Sequence, residues 1–306
     1  MTSFRQAVSR RQAAVGSFRW PLRALLLPVA ACLLPTAFCL LLTADCLLPA
    51  YCSPQDPPAQ ASQPSAQPPP SSRPAIIDPK AQELLDKVIQ ALGGPAFLRF
   101  KTLTTHGRAF SISNEETTGL APYDSFVEYP DKRRFSYGKK KPVILINNGD
   151  SAWELDRYGV ILQPPEQVRR WKITNRYSLE NLLRLRIREP GILIQTGGVD
   201  FVDNLPARVV EIIDASQVHI KLYVNRVSLR PVRVTYQVLN PQSQEQDEYA
   251  DDYSDYQVIQ GIATPMHIGR FVNDERVAEI FRSSARYEEN YPASYFSQPT
   301  GQSVSE

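Results

Sequence analysis

Residues 124–158 read DSFVEYPDKRRFSYGKKKPVILINNGDSAWELDRY. Apolar and polar side chains alternate in short runs at 124–129, 134–138, 143–147 and 151–158, a period of two that predicts half-buried β-strands. The runs are broken by Pro130-Asp131 and by Asn148-Gly149-Asp150, and the second is a strong two-residue hairpin signal. Consecutive strands joined this tightly must be antiparallel neighbours.

The same period extends outward in both directions. It begins at residues 102–113 and resumes after Gly191 at 192–196, 207–214, 218–225, 232–239, 248–259, 264–271 and 276–286. Some ten to twelve strands with short links predict a mainly β (α+β) fold, a curved antiparallel sheet that forms an incomplete, unclosed β-barrel. Two helical patterns frame it. Asp78-Pro79 is an N-cap followed by proline, Gly93-Gly94 is a stop, and Leu85, Val88 and Ile89 lie on the apolar face between them. Residues 97–100 read as one further short turn. The insertion at 164–189 carries Trp171, Leu182 and Leu183 at helical spacing, with Ser178 as N-cap. These six apolar residues are the expected lid, helices covering the concave face of the sheet.

The first quarter of the chain has a different composition. Twelve of the 26 prolines and all four cysteines (Cys32, Cys39, Cys46 and Cys52) precede Ala75. Residues 24–42 are uncharged and apolar and follow five arginines, so residues 1–52 read as a signal peptide or an N-terminal membrane anchor, with the N-terminus cytoplasmic. Residues 53–75 hold eight prolines and no large apolar side chain, which predicts an extended, disordered linker. The folded domain is expected at 76–299, with 300–306 as a C-terminal tail. Its location is then the periplasm, exported, and tethered to the inner membrane if the segment stays uncleaved.

Composition also narrows the chemistry. Beyond residue 52 there are 29 basic and 31 acidic residues, a balance that disfavours nucleic acid as partner. No cysteine follows Cys52, and His106, His219 and His267 stand far apart without carboxylates at ligand spacing, so neither a metal nor a cofactor is expected. No serine-nucleophile motif occurs, and no catalytic residue is assigned. The acidic run 247–255 lacks the turn glycine and closing glutamate of a calcium loop. The basic run Arg169, Arg170, Lys172, Arg176, Arg184, Arg186 and Arg188 reads either as a solvated helix face or as a contact for anionic lipid heads.

Several motifs in order carry a family resemblance. Val127-Glu128-Tyr129-Pro130 with Arg134-Phe135 is followed by Asn148-Gly149-Asp150-Ser151-Ala152-Trp153. Further on come residues 224–233, then Tyr253-Ser254-Asp255-Tyr256 with Gly261-Ile262 and Pro265, and finally Asn290, Phe296 and Pro299. Together with the capped helix they resemble the LolA/LolB-type outer-membrane lipoprotein-sorting proteins over most of 76–299. The resemblance implies a non-enzymatic carrier, a monomer, whose concave apolar face holds the acyl chains of a lipid or lipoprotein.

Such a site needs only apolar area withdrawn from water, at roughly 25 cal/mol per Å². Phe126, Phe135, Tyr137, Trp153, Leu155, Tyr223, Val234, Tyr236 and Ile268 are the candidates for the cavity wall. The competing expectation is a membrane-tethered periplasmic scaffold or interaction module in which the same residues fill an ordinary core.

Overall fold

A computed structural model describes residues 74–299, so the expected export segment, most of the expected linker and the expected tail at 300–306 lie outside the described residues. All described residues fall in one compact unit. The alternating runs become β2 (Thr102–Ser113), β3 (Glu116–Glu128), β4 (Lys132–Tyr137), β5 (Val143–Asn148), β6 (Ser151–Asp156) and β7 (Gly159–Leu162). After the helical insertion follow β8 (Leu193–Val202), β9 (Leu205–Ile213), β10 (His219–Asn225), β11 (Pro231–Leu239), β12 (Gln246–Ile259), β13 (Ile262–Val272) and β14 (Glu275–Tyr287). A two-residue β1 (Ile76–Ile77) precedes them. The helices are α1 (Pro79–Leu92), α2 (Pro95–Arg99), α3 (Pro165–Arg176) and α4 (Leu179–Arg184).

All fourteen strands share one sheet in the order β1-β8-β9-β10-β11-β12-β13-β14-β2-β3-β4-β5-β6-β7. Every pairing is antiparallel except β1 with β8. The order is a meander cut and rejoined. Its two halves meet where the last strand, β14, pairs with β2, while β7 and β1 are left as the two edges. The sheet is therefore not closed. The connection from β7 to β8 has to travel from one edge to the opposite one, and α3 and α4 lie in that connection. Among the described residues no helix is long and apolar enough to cross a membrane.

The sheet curls over its helices. Helix α1 touches β8 and β9 and also β13, which stands four strands beyond β9 in the sheet. Four strand spacings are about 19 Å, within the roughly 21 Å length of this 14-residue helix, so α1 lies across that stretch. The curl is shown by Asn175 and Tyr177, two residues apart, which reach Pro130 after β3 and Asp214 after β9. Those strands stand seven spacings apart, about 33 Å in a flat sheet. The capping of α1 follows the sequence: Asp78 accepts from the Lys80 amide at 3.1 Å, and Gly93 ends the helix at φ 125°. A side chain at Gly93 would place its Cβ 2.4 Å from the Gly261 carbonyl oxygen in the β12–β13 turn. Only glycine permits both that φ and that approach.

One apolar core results, in which Leu85, Val88 and Leu92 of α1 and Leu182 and Leu183 of α4 pack with Ile194, Ile212, Leu222 and Val234 from the sheet. Each fully buried side chain of this size stabilises the fold by roughly 1.5–3 kcal/mol. Three strand expectations are corrected. β3 begins at Glu116 rather than Asp124, because Gly119 and Pro122 interrupt the pattern without interrupting the ladder. β7 separates from β6 at Gly159, and β1 was too short to read.

Candidate functional site

Residues directly opposite in a ladder point to the same side of a sheet, so register assigns the faces. Leu103 belongs to the helix-covered core. It pairs with Val127, which pairs with Arg133, which pairs with Asn147. Two residues along, Thr105, Ser125, Phe135 and Leu145 form the next tier of this inner face; Gly107, Tyr123, Tyr137 and Val143 form the one after. Tyr123 is buried and stacks on Phe135 at 5.4 Å, and Phe135 lies 6.0 Å from Tyr137. Val127, Phe135, Tyr137, Val143 and Leu145 are half-buried, and none belongs to the core beneath the helices.

The expected wall and lid residues divide accordingly. Val234, Tyr236 and Ile268 sit in one packed cluster with Leu85, Val88, Ile89, Leu182 and Leu183. Wall touches lid there, and this part of the concave face is filled. Trp171 is buried on α3 outside that cluster. Phe135 and Tyr137 remain half-buried on the inner strip, outside that cluster.

Four wall expectations are corrected by register. Phe126 pairs with Thr104 and Arg134, on the outer face, and packs edge-on against Tyr291 and Tyr295 of the C-terminal segment at 5.9 and 5.2 Å. Trp153 pairs with Ile146 and Leu155 with Ile144, on the same outer side. Tyr223 alternates with the core residues Leu222 and Val224 and packs instead with Val202, Ala207 and Val209. A period of two shows that the faces differ; it leaves open which one is inside when both carry aromatic side chains.

The inner face also holds charges that the sequence reading passed over. Arg133 donates to Asn147 Oδ1 at 3.4 Å, its Nε is buried without a partner, and no carboxylate among the described residues lies within ion-pairing distance. Burial, and then the charge of Arg270, push its guanidinium down to about 9. Arg270 stands on β13, its Nε 3.4 Å from Asp251 Oδ1 of β12 in a pairing too poorly aligned to be a hydrogen bond. Burial raises the Asp251 carboxyl, and Arg270 partly offsets it. The Arg270 side chain keeps 37% of its surface open, so water reaches this inner wall. Glu180 of α4 adds a further negative charge near Asp251 and Arg270.

The crossing helices are fastened by polar contacts. The side-chain amides of Asn175 and Asn181 donate to the Pro130 carbonyl at 2.8 and 2.9 Å, and Tyr177 Oη donates to Asp214 at 2.7 Å. The basic run is largely paired with carboxylates here, which accords with its reading as an ion-paired, solvated helix face. Arg169 pairs with Glu166, Lys172 with Asp150, Arg176 with Glu189 and Asp214, and Arg186 with Glu189.

A groove of about 240 Å³ lies on the outer side, lined by Val202 and Leu205 of the β8–β9 tip and by Ser254, His267 and Phe271 among others. Strand pairing gives His267 neighbours that linear spacing hides: Ser254 Oγ at 2.9 Å from Nδ1 and Glu279 Oε2 at 3.8 Å from Nε2. The second distance is too long for a hydrogen bond, and Glu279 is held by Arg276 at 2.5 Å, so the three groups form no proton relay as arranged. Among the described residues no cluster of three or more His, Cys, Asp or Glu could hold a metal.

The architecture is thus that of a mainly β protein with an open antiparallel sheet curled over helices. No protein-family model matches the chain, and no curated protein matches it. Among solved structures it is similar to a DUF1329 family protein from Desulfovibrio piger, with 11% identity over 71% of this chain and 97% of that one and a TM-score of 0.48. It is also similar to a LolA superfamily protein from Nitrosomonas europaea, with 14% identity, the same 71% of this chain, 97% of that one and a TM-score of 0.43.

Proposed function

We propose that this chain is an extracytoplasmic, non-enzymatic carrier that holds the acyl chain of a lipid or lipoprotein against the inner strip of β3–β5. The observation that carries this reading is the division of the concave face. One part is packed solid under α1 and α4, while Val127, Phe135, Tyr137, Val143 and Leu145 remain half-exposed on the same face, outside that core. An acyl chain needs only apolar area, and this strip offers it beside the water-accessible wall at Arg270. The arginines before residue 24 support a periplasmic location.

A second reading, a tethered scaffold with a filled core, draws on the continuity of the cluster beneath α1. The two differ in one experiment. Displacement of a fluorescent fatty acid is measured beside thermal stability for the parent, Phe135→Glu on the inner strip and Trp153→Glu on the outer face. The carrier predicts loss of binding in Phe135→Glu with nearly unchanged melting, because a wetted wall can hydrate the new carboxylate. Trp153→Glu retains binding. No fatty-acid binding by the parent would favour the scaffold.

A further inference from the structure

We infer that Arg133, on the inner face it shares with Arg270, is a receptor for the anionic headgroup, carboxylate or phosphate, of an amphiphile whose chain lies along Phe135 and Tyr137. The inference rests on the carrier reading and adds the polarity and orientation of the ligand.

The first support is alignment. Arg133, Phe135 and Tyr137 project from the same side of one strand at intervals of about 7 Å, so charge is followed by two aromatic rings in the order in which an amphiphile presents headgroup and chain. The Arg133 Cζ lies 5.5 Å from the Phe135 ring centroid, and the charge borders the apolar strip directly.

The second is the unspent valence of Arg133. A guanidinium has five N–H donors in a planar fork suited to a carboxylate or phosphate. Arg133 spends one on Asn147, at 3.4 Å, and its Nε has no partner. Arginines with a structural role in this chain are treated differently: Arg176 meets Glu189 at 2.7 Å, and Arg233 meets Asp252 through two nitrogens at 2.5 and 2.7 Å. Arg184 and Arg282 also lack a carboxylate but donate to the backbone carbonyls of Phe100 and Pro265. The half-buried Arg133 meets only the Asn147 side chain, and its unspent donors point to an anion from outside.

The third is Arg270. It stands on β13, four strands from β4 in the sheet order, and register through Asp251 and the core residue Val234 puts it on the same inner face as Arg133. Its charge helps to hold the Arg133 guanidinium down. The carboxylates nearby are accounted for. Asp251 is committed to Arg270, and Glu180 influences Arg270 and Asp251 but is not among the groups felt at Arg133. Like charges sharing a partly desolvated face repel, and an anion between them removes that repulsion.

The test uses the purified full chain and probe pairs that share an acyl chain and differ in a charged or neutral head: cis-parinaric acid with its methyl ester, and lysophosphatidic acid with monoacylglycerol as competitors. The parent should prefer the charged member of at least one pair by about tenfold or more, and the preferred pair identifies the headgroup. Arg133→Gln should bring the acid down to the affinity of its neutral partner and leave the neutral partner unchanged, while Arg133→Lys keeps part of the preference. Melting at or above the parent in both variants excludes misfolding as the cause. Equal affinity for charged and neutral members in the parent, with acyl binding intact, overturns the headgroup site and leaves the carrier reading standing. Binding of none of the four probes overturns both.

Discussion

Replacing Arg133 by methionine exchanges an uncompensated inner charge for an apolar side chain of similar length, and the structure predicts that the protein gains stability. Arg133 is a base whose protonated form the fold disfavours, so the penalty is present at neutral pH, where the group is charged. Holding it down to about 9 corresponds to at most about 5 kcal/mol, at 1.36 kcal/mol per pH unit. Water reaching a half-buried side chain removes a good part of that. The Phe135 ring and the long hydrogen bond to Asn147 each return ~0.5–1 kcal/mol, and methionine forfeits both. A net gain of about 1–2 kcal/mol remains, which for a folded part of this size raises the melting temperature by ~2–4 °C. Calorimetry or urea unfolding of Arg133→Met measures it directly. Arg233→Met is the comparison, since it strands the half-buried Asp252 carboxylate and should lower stability. If Arg133→Met melts at or below the parent, the charge is not a net burden to the fold, and the reasoning that treats it as a group held in reserve for a ligand fails.

Two further outcomes concern the frame that holds the site. Gly93→Ala should destabilise by about 2–4 kcal/mol in denaturant unfolding, since its Cβ would lie 2.4 Å from the Gly261 carbonyl oxygen at a φ of 125°; a loss below about 0.5 kcal/mol would mean that α1 is not held so tightly against the β12–β13 turn. Asn181→Ala removes donors to the carbonyls of Pro130 and Asn175 from a site only 1% exposed, with an expected cost of ~2–3 kcal/mol and faster amide exchange in α4. Unchanged exchange would show that α4 is held by its leucines alone.

Most of the architecture was legible because it rests on local rules. The period of two, the Asn148-Gly149 turn and the Asp78-Pro79 cap each report conformation within a few residues, and the strands and helices they predict are present. The site was less legible because it depends on which side of each strand the helices cover. Phe126 and Phe135 look alike in sequence, and only the ladder from Leu103 through Val127 to Arg133 tells the faces apart. Arg133 itself carried a usable signal, a charged residue two positions from Phe135 and therefore on the same face. Arg270 carried none, since 137 positions and a sheet curl separate it from Arg133. The ion pairs of α3 likewise join residues such as Arg176 and Asp214, whose proximity arises only when the connection crosses between the sheet edges.

The pairing of β14 with β2 has a consequence for how the chain is made. Leu103 must find Tyr287, so the ladder that unites the two halves cannot form until nearly the whole domain has left the ribosome. Until then β2 to β7 is a half-sheet whose β2 edge offers unpaired backbone groups, a ready template for a strand from another molecule. Closing so large a loop before its contacts are rewarded makes the last step slow and assigns high contact order to the very centre of the sheet. Folding of this domain is therefore expected to be post-translational, with its most aggregation-prone interval just before its final strand arrives.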